Sequence, residues 1–125
     1  MNNHTQCPFC NIEREIITEN NRSVAIYDGY PVSKGHALII PKLHCANYFE
    51  LSLEDQYACI TLLNETKNII QSKYNPDGFN VGININEVAG QTIPHVHIHL
   101  IPRYSGDVER PKGGVRGVIP GKKEY

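Results

Sequence analysis

The sequence of 125 residues predicts an α+β fold, in which an antiparallel sheet of about five strands packs against one long helix and a short N-terminal helix. One apolar pattern has helical spacing, and several shorter apolar segments have the length of strands. Gly, Pro and Asn clusters separate these segments as turns. The length is that of a single domain over residues 1–125, with residues 104–125 as an extended C-terminal arm rich in Gly and Pro.

The first predicted elements are short. Residues 11–16 are expected to form the N-terminal helix. Val24–Tyr27 and Ala37–Ile40 are apolar segments too short for stable helices, and Pro41 stops the second of them. Both therefore read as buried strands.

The long helix is expected from Ser52 to about Tyr74. Ser52 and Asp55 resemble a capping box at its N-terminus. Asn75–Gly78 forms a turn that ends it. Apolar residues at helical spacing define its expected apolar face: Leu53, Tyr57, Ile60, Leu63 and Ile70.

Two later segments alternate apolar and polar residues, Phe79–Ile85 and His95–Ile101. This alternation predicts half-buried strands. Because alternate side chains of a strand share a face, the apolar side should pack on the helix. The other side should carry three histidines together with Asn84 and Gly82.

The composition excludes several function classes. With 12 basic and 13 acidic residues, the chain has a net charge of −1 and a pI near 6.6. This balance argues against an electrostatic nucleic-acid binder and a membrane-surface protein. No membrane span or signal peptide is visible, which favours a cytoplasmic location. There the Cys-x-x-Cys pair, Cys7 and Cys10, would bind metal or be redox-active sooner than form a disulfide. Cys45 and Cys59 lie outside any motif and are expected to pack as buried apolar residues.

The histidines are the strongest functional signal. Six occur in the chain, and His95, His97 and His99 alternate along one predicted strand. A straight strand places the outer two about 13 Å apart at Cα, so one metal ion cannot easily take all three. The strand is strained least if one of the three histidines binds a metal ion and the other two contact substrate. A solvated polar face, or a metal hydrolase or oxygenase that uses all three as ligands, are the alternatives.

A metal site is predicted near the N-terminus. Cys7 and Cys10 have the spacing of a structural zinc knuckle. His44, just past the second strand, and His95 would complete a closed Cys₂His₂ site for Zn²⁺. The alternative is a pair of unmetallated thiols.

Ile93–Arg103 resembles the signature of the histidine triad superfamily, in which three histidines alternate with apolar residues. Ala89–Thr92, Tyr27–Asp28 and Gly35–Lys42 are also similar to that family, so the likeness covers roughly residues 7–104. The resemblance implies a nucleotide hydrolase or transferase that acts at an α-phosphate through a nucleotidyl-histidine intermediate. Gly113–Pro120 resembles the tail of bacterial members that hydrolyse dinucleoside polyphosphates.

The resemblance also implies roles for individual residues. His97 would be the nucleophile, and His99 would hydrogen-bond the α-phosphate. His4 and His36 receive no catalytic role, and His36 is expected to order the turn after Gly35. The other implied substrate contacts are Asp28 for the ribose, Ile26 and Leu38 for the base, and Asn84, Gln91 and Thr92 for the phosphate.

The resemblance leaves the substrate open within one class. Diadenosine polyphosphates are expected first, a purine nucleoside phosphoramidate is the alternative, and a non-catalytic nucleotide-binding protein is the second alternative. It also implies a homodimer formed through the long helix and strand region. The arm could then approach the partner's site, where Arg103 or Arg116 would contact distal phosphates.

Overall fold

The computed structural model describes residues 5–125, so His4 lies outside the described residues. Five strands form one antiparallel sheet in the order β1-β2-β3-β5-β4. The predicted α+β class is confirmed. The elements are β1 (Ile16–Glu19), β2 (Ser23–Tyr27), β3 (Ala37–Pro41), helix α1 (Leu53–Tyr74), β4 (Gly78–Ile83) and β5 (Ile98–Arg103).

Helix α1 confirms the predicted long helix. The Ser52 side chain accepts a hydrogen bond from the Asp55 backbone N–H at 3.1 Å, as a capping residue should. Asn75 ends the helix in the left-handed conformation, at φ 52°, and its N–H donates to the Gln71 carbonyl. The polar residues at both ends therefore fix the length of the helix.

The buried face of α1 differs from the expected one. Leu53 and Tyr57 are 68 % and 67 % exposed. Asp55 and Thr66 are buried because each has a partner: Asp55 pairs with Arg22, and the Thr66 hydroxyl donates to the carbonyl one turn earlier. Polar residues with such partners can face a core, which hydropathy alone does not show. The buried residues of α1 are Asp55, Cys59, Leu62, Thr66 and Ile70.

The predicted N-terminal helix at residues 11–16 is wrong. A tight turn follows Cys7, whose carbonyl accepts the backbone N–H of Asn11 and also its side-chain amide. The chain then extends into β1, which pairs with β2. A helix of one or two turns is marginal in isolation, and the ladder with β2 supplies the backbone partners that it would lack.

Strand β5 begins at Ile98, three residues later than the predicted start. The preceding segment is bonded outside the ladder: the Val96 N–H donates to the Cys45 carbonyl at 2.7 Å. Pro102 does not end the strand, because β5 pairs with β3 only as far as Leu100 and with β4 alone beyond it. A proline is tolerated where one side of the strand has no ladder.

The two faces of the sheet have separate cores. On one face, Ala25, Ala37, Ile39, Ile98 and Leu100 pack against Cys59, Leu62 and Ile70 of α1. On the other face, Val24, Ile26, Leu38 and Ile40 pack against Phe9, Cys7, Ile12 and Ile93. The second core joins the N-terminal knuckle to the sheet and supports the histidine side. Within residues 5–125, no helix has the length and apolar character needed to cross a bilayer.

Candidate active site and metal centre

Four predicted ligands meet beside the start of the histidine segment. The ligand atoms of Cys7, Cys10, His44 and His95 all lie within 4.8 Å of one another. Nδ1 of His95 is 3.4 Å from the Cys7 sulfur and 3.5 Å from the Cys10 sulfur. Nδ1 of His44 is 3.2 Å from the Cys10 sulfur. Edges of about 3.3–3.8 Å are expected in a tetrahedron of sulfur and nitrogen ligands around Zn²⁺.

The orientation of His95 also fits a metal ligand. Its ring is fully buried, and Nε2–H donates to the Pro41 carbonyl at 2.8 Å. Nδ1 is then the unprotonated nitrogen, and it faces the two thiols. Burial and the neighbouring Cys7 raise the pKa of Cys10 to about 11 in the metal-free chain. A bound cation would instead favour the thiolate form of Cys10 and so lower its pKa. The ion would provide the charge stabilisation that the poorly solvated cluster lacks.

His97 lies directly beside this cluster, on the same side of the sheet. Its Nδ1 is 2.8 Å from the backbone carbonyl of His95, so Nδ1 carries the proton and donates it. The Nε2 lone pair is left free. The Phe9 ring packs edge-on to the His97 ring, with centroids 5.0 Å apart. His97 is therefore buried, with Nδ1 engaged by the backbone and Nε2 as the ring nitrogen left for attack.

His99 is oriented by His36, through a chain of hydrogen bonds that starts at the backbone. The Val32 N–H donates to Nδ1 of His36 at 3.1 Å, which places the His36 proton on Nε2. Nε2 of His36 lies 3.0 Å from Nδ1 of His99 and 3.4 Å from a carboxylate oxygen of Asp28. Nδ1 of His99 is thus an acceptor, and its own proton is on Nε2. His99 can donate that proton to an anion.

His36 is a site residue that the sequence reasoning missed. The expectation that it orders the turn is confirmed, since its N–H donates to Ser33 and its carbonyl accepts from Asp28. The available signal was register: Leu38 pairs with His99, and His36 lies two residues away on the same side. The cluster of Asp28, His36 and His99 has metal-ligand residue types, but the proton shared by its two histidines makes it a hydrogen-bond network.

Burial keeps both of these histidines neutral. It lowers the pKa of His36 below its usual 6.5, against an opposing effect of Asp28. It also lowers the pKa of His99, and the nearby His97 and His36 lower it further. Proton positions in the network are consequently those of the neutral tautomers at pH 7.

An apolar cavity of about 390 Å³ opens next to these histidines. Its walls include both predicted base-contacting residues, Ile26 and Leu38. Asp28 lies at the rim, where one of its carboxylate oxygens accepts the Tyr30 N–H at 2.8 Å. The second oxygen faces His36 and remains within reach of a ligand. The other apolar walls are Pro8, Phe9, Ile12 and Ile93.

The remaining predicted substrate residues lie on or near the loop before His95. The Gln91 side chain is used inside the protein: it accepts from Asn86 and donates to the carbonyls of Ala46 and Ile93. Thr92 is exposed and lines a second cavity beside Cys7 and His44. Asn84 follows β4 and is half-buried. Substrate contact by these three residues stays a prediction.

Both arginines considered for distal phosphates have partners in this chain. Arg103 forms a two-point ion pair with Asp107. Arg116, in a 3₁₀ turn of the arm, donates to the carbonyls of Lys122 and Lys123. Their proposed phosphate contacts would need these bonds to open or to be shared.

Comparison with known proteins identifies the relatives of this chain. An adenosine 5′-monophosphoramidase of Schizosaccharomyces pombe is 39 % identical over 102 residues, which is 78 % of this chain and 74 % of that protein. The asymmetrical bis(5′-nucleosyl)-tetraphosphatase of the same organism is 29 % identical over 93 residues, covering 74 % of this chain and 51 % of that protein.

The fold has solved counterparts. A zinc-bound histidine triad family protein from Mycobacterium smegmatis superposes with a TM-score of 0.77 at 29 % identity, covering 84 % of this chain and 80 % of that one. The sequence also matches the HIT domain over residues 10–106. This span holds the sheet, α1 and the histidine cluster, and the chain belongs to the HIT domain family.

Proposed function

We propose that the protein is a nucleotide hydrolase that attacks an α-phosphate with His97. The observation that carries the proposal is the hydrogen bond from Nδ1 of His97 to the His95 carbonyl, which frees Nε2 for attack. Neutral imidazole is a competent nucleophile near pH 7. The adjacent Nε2–H of His99 is a donor suited to a phosphate oxygen.

The residues suggest a two-step reaction. The base occupies the apolar cavity, and the ribose hydroxyls donate to Asp28. Nε2 of His97 forms a bond to the α-phosphorus, and the leaving group departs with its electron pair and takes up a proton. The His95 carbonyl stabilises the positive charge on the His97 adduct through Nδ1–H. Water then attacks phosphorus, which releases a mononucleotide and restores neutral His97.

Diadenosine polyphosphates are the substrates we propose. The tetraphosphatase from S. pombe supports this class, as does the sequence of the arm. A purine nucleoside phosphoramidate is the alternative, which the 39 % identity to the monophosphoramidase favours. Turnover of diadenosine tetraphosphate against adenosine 5′-phosphoramidate, at matched enzyme concentration, decides between them. The preferred substrate is the one with the higher kcat/KM.

Trapping tests the covalent step. Rapid acid-free quench during turnover, followed by mass spectrometry of peptides, should show a mononucleotide adduct on His97. Active enzyme without an adduct at any quench time would contradict the mechanism. Wild-type protein that binds nucleotides but turns over no ester, anhydride or phosphoramidate would instead support a non-catalytic nucleotide-binding module.

Zn²⁺ is the metal that we propose for Cys7, Cys10, His44 and His95. Four sulfur and nitrogen ligands leave no open coordination position, which suits a structural ion. The zinc-bound relative supports the identity of the metal. When bound, the ion would neutralise the thiolates and hold the N-terminal knuckle against the histidine segment. None of the four cysteines, all of which lie within residues 5–125, is in a disulfide, and this supports a reducing, cytoplasmic location.

We also propose a homodimer. Leu53, Tyr57 and Ile60 form an exposed apolar stripe on α1, and a second copy could cover it. Strand β4 is at the edge of the sheet and offers a further backbone surface. Tyr57→Lys should convert a dimer to a monomer in sedimentation equilibrium, whereas Glu65→Lys, on another side of the helix, should not. A monomeric wild-type protein would refute the dimer.

A further inference from the structure

The rim of the apolar cavity carries a positively charged group that the proposed reaction does not use. Arg14 lines the cavity beside Asp28 and Gly29. The other four arginines of the chain each form an ion pair or hydrogen bond: Arg22, Arg103, Arg110 and Arg116. Among residues 5–125, Arg14 forms neither. Its donors are therefore available to a ligand.

Gly29 leaves room for the end of the Arg14 side chain. The guanidinium lies where a side chain at Gly29 would begin, and a Cβ there would overlap both of its terminal nitrogens. Gly29 directly follows Asp28, to which we assign the ribose. The lack of a side chain therefore lets a planar cation lie flat at the rim, next to the sugar site and within the same cavity as the base.

The other polar groups at this rim complement the cation. Glu13 also lines the cavity and, within the described residues, takes part in no hydrogen bond or ion pair. Arg14 offers donors only, and Glu13 as a carboxylate offers acceptors only. Guanine presents O6 and N7 as acceptors and N2–H₂ as a donor, whereas adenine presents an N6–H₂ donor beside N7. Two adjacent donors of Arg14 match O6 and N7 of guanine, whereas in adenine one of them would face the N6 amine, which is itself a donor. The Glu13 carboxylate matches the N2 amine, which adenine lacks.

We propose that Arg14, aided by Glu13, makes this site selective for guanine nucleotides over adenine nucleotides. The inference rests on the proposed nucleotide site and on attack at the α-phosphate, and it replaces adenosine by guanosine as the preferred nucleoside. Diadenosine polyphosphates would then be weaker substrates than their guanosine counterparts. Arg14 would bind O6 and N7 in the two-point manner usual for guanine, and Glu13 would accept from the N2 amine. The substrate would then be a guanosine ester, anhydride or phosphoramidate, including mixed dinucleoside polyphosphates that place guanosine in this cavity.

Calorimetric binding of the mononucleotides GMP and AMP to zinc-loaded wild-type protein tests the proposal without turnover. We expect GMP to bind at least about fivefold more tightly than AMP, the lower bound for one two-point contact. Arg14→Ala should weaken GMP binding by that factor and leave AMP within twofold. Arg14→Lys, which keeps the charge but lacks the fork, should also lose the preference. Lys67→Ala, on the far side of the sheet, is the matched control and should change neither affinity.

Gly29→Ala provides an independent variant. The added methyl would displace the guanidinium, so GMP affinity should fall while AMP affinity stays the same. Equal affinities of wild-type protein for the two nucleotides, or tighter AMP binding, would overturn the guanine assignment and leave the nucleotide site standing. An equal fall in the affinity for GMP and AMP in Arg14→Ala would also overturn the guanine assignment, because Arg14 would then bind the phosphate that both nucleotides share. Failure of wild-type protein to bind either nucleotide would overturn the proposed function itself.

Discussion

The backbone carbonyl of His95 accepts the Nδ1 proton of His97 at 2.8 Å, while the His95 ring belongs to the four-residue metal cluster. His95 thus takes part in both candidate sites: its ring belongs to the possible metal cluster, and its backbone carbonyl orients the proposed nucleophile, His97. A backbone acceptor cannot change its protonation state near neutral pH, so it fixes one tautomer of His97. The metal cluster and the reaction centre are therefore joined by a single peptide unit.

Loss of the nucleophile should remove turnover and spare binding. His97→Ala is expected to lower kcat by about 10³-fold or more, since the variant removes the proposed attacking nitrogen, Nε2 of His97. Product mononucleotide should bind within a few-fold of wild type by calorimetry, because the cavity and Asp28 are unchanged. Retention of substantial turnover would assign the nucleophile to another group.

Loss of one thiol should release the metal. Cys7→Ala is expected to reduce zinc from about one ion per chain to a small fraction, measured by elemental analysis. The melting temperature of the Cys7→Ala variant should fall as well, because a bound ion stabilises the folded state. Cys45→Ala, a thiol outside the cluster, is the control and should keep zinc. Zinc that survives in Cys7→Ala with activity proportional to it would place the metal on the histidine triad.

His36 should act as a positioning residue. His36→Ala removes the donor that fixes the His99 proton on Nε2, so kcat should fall about tenfold or more with little change in KM. His36→Gln, whose amide can reach the position of Nε2, should restore part of the rate. Loss of rate in both variants to the same extent, together with a lower melting temperature, would indicate a purely structural role.

The stability of the protein should fall on mild acidification. Both His36 and His99 have pKa values below 6.5, so the unfolded chain binds more protons than the native protein as the pH falls through 6.5. The free energy of unfolding should therefore rise with pH up to about 7 and level off above it.

Chemical denaturation of chelator-treated protein measures this slope without the contribution of pH-dependent metal binding. His99→Asn should flatten it, since that variant removes one of the two groups. An unchanged slope in His99→Asn would mean that other groups cause the pH dependence.

Local signals predicted the elements that depend on local chemistry. Ser52 and Asn75 fix the two ends of α1 through their own hydrogen bonds, and both are visible in the sequence. Strand β1 was missed because its partner β2 supplies the ladder, and no residue within 11–19 shows that pairing. The start of β5 depended likewise on a distant acceptor, the carbonyl of Cys45.

In the candidate site, too, the sequence predicted some residues, and contacts between distant segments determined the others. Spacing and family resemblance predicted the triad and four candidate metal ligands, and the structure brings these four side chains together. His36 could not be assigned from its own neighbours in sequence, because its contact with His99 is made across two strands. Gln91 was named for substrate, yet all its observed partners are backbone groups of the protein. A polar loop residue does not reveal in advance which of its possible partners it takes.

Phe9 lies between the two cysteines of the knuckle, packs on the rings of His95 and His97, and forms a wall of the base cavity. Metal binding by Cys7 and Cys10 would therefore fix the position of Phe9. The affinity for a nucleoside would then depend on metal content, and preparations with different metal content would differ in KM before they differ in fold. Affinities measured for different ligands would therefore be comparable only between preparations of the same metal content.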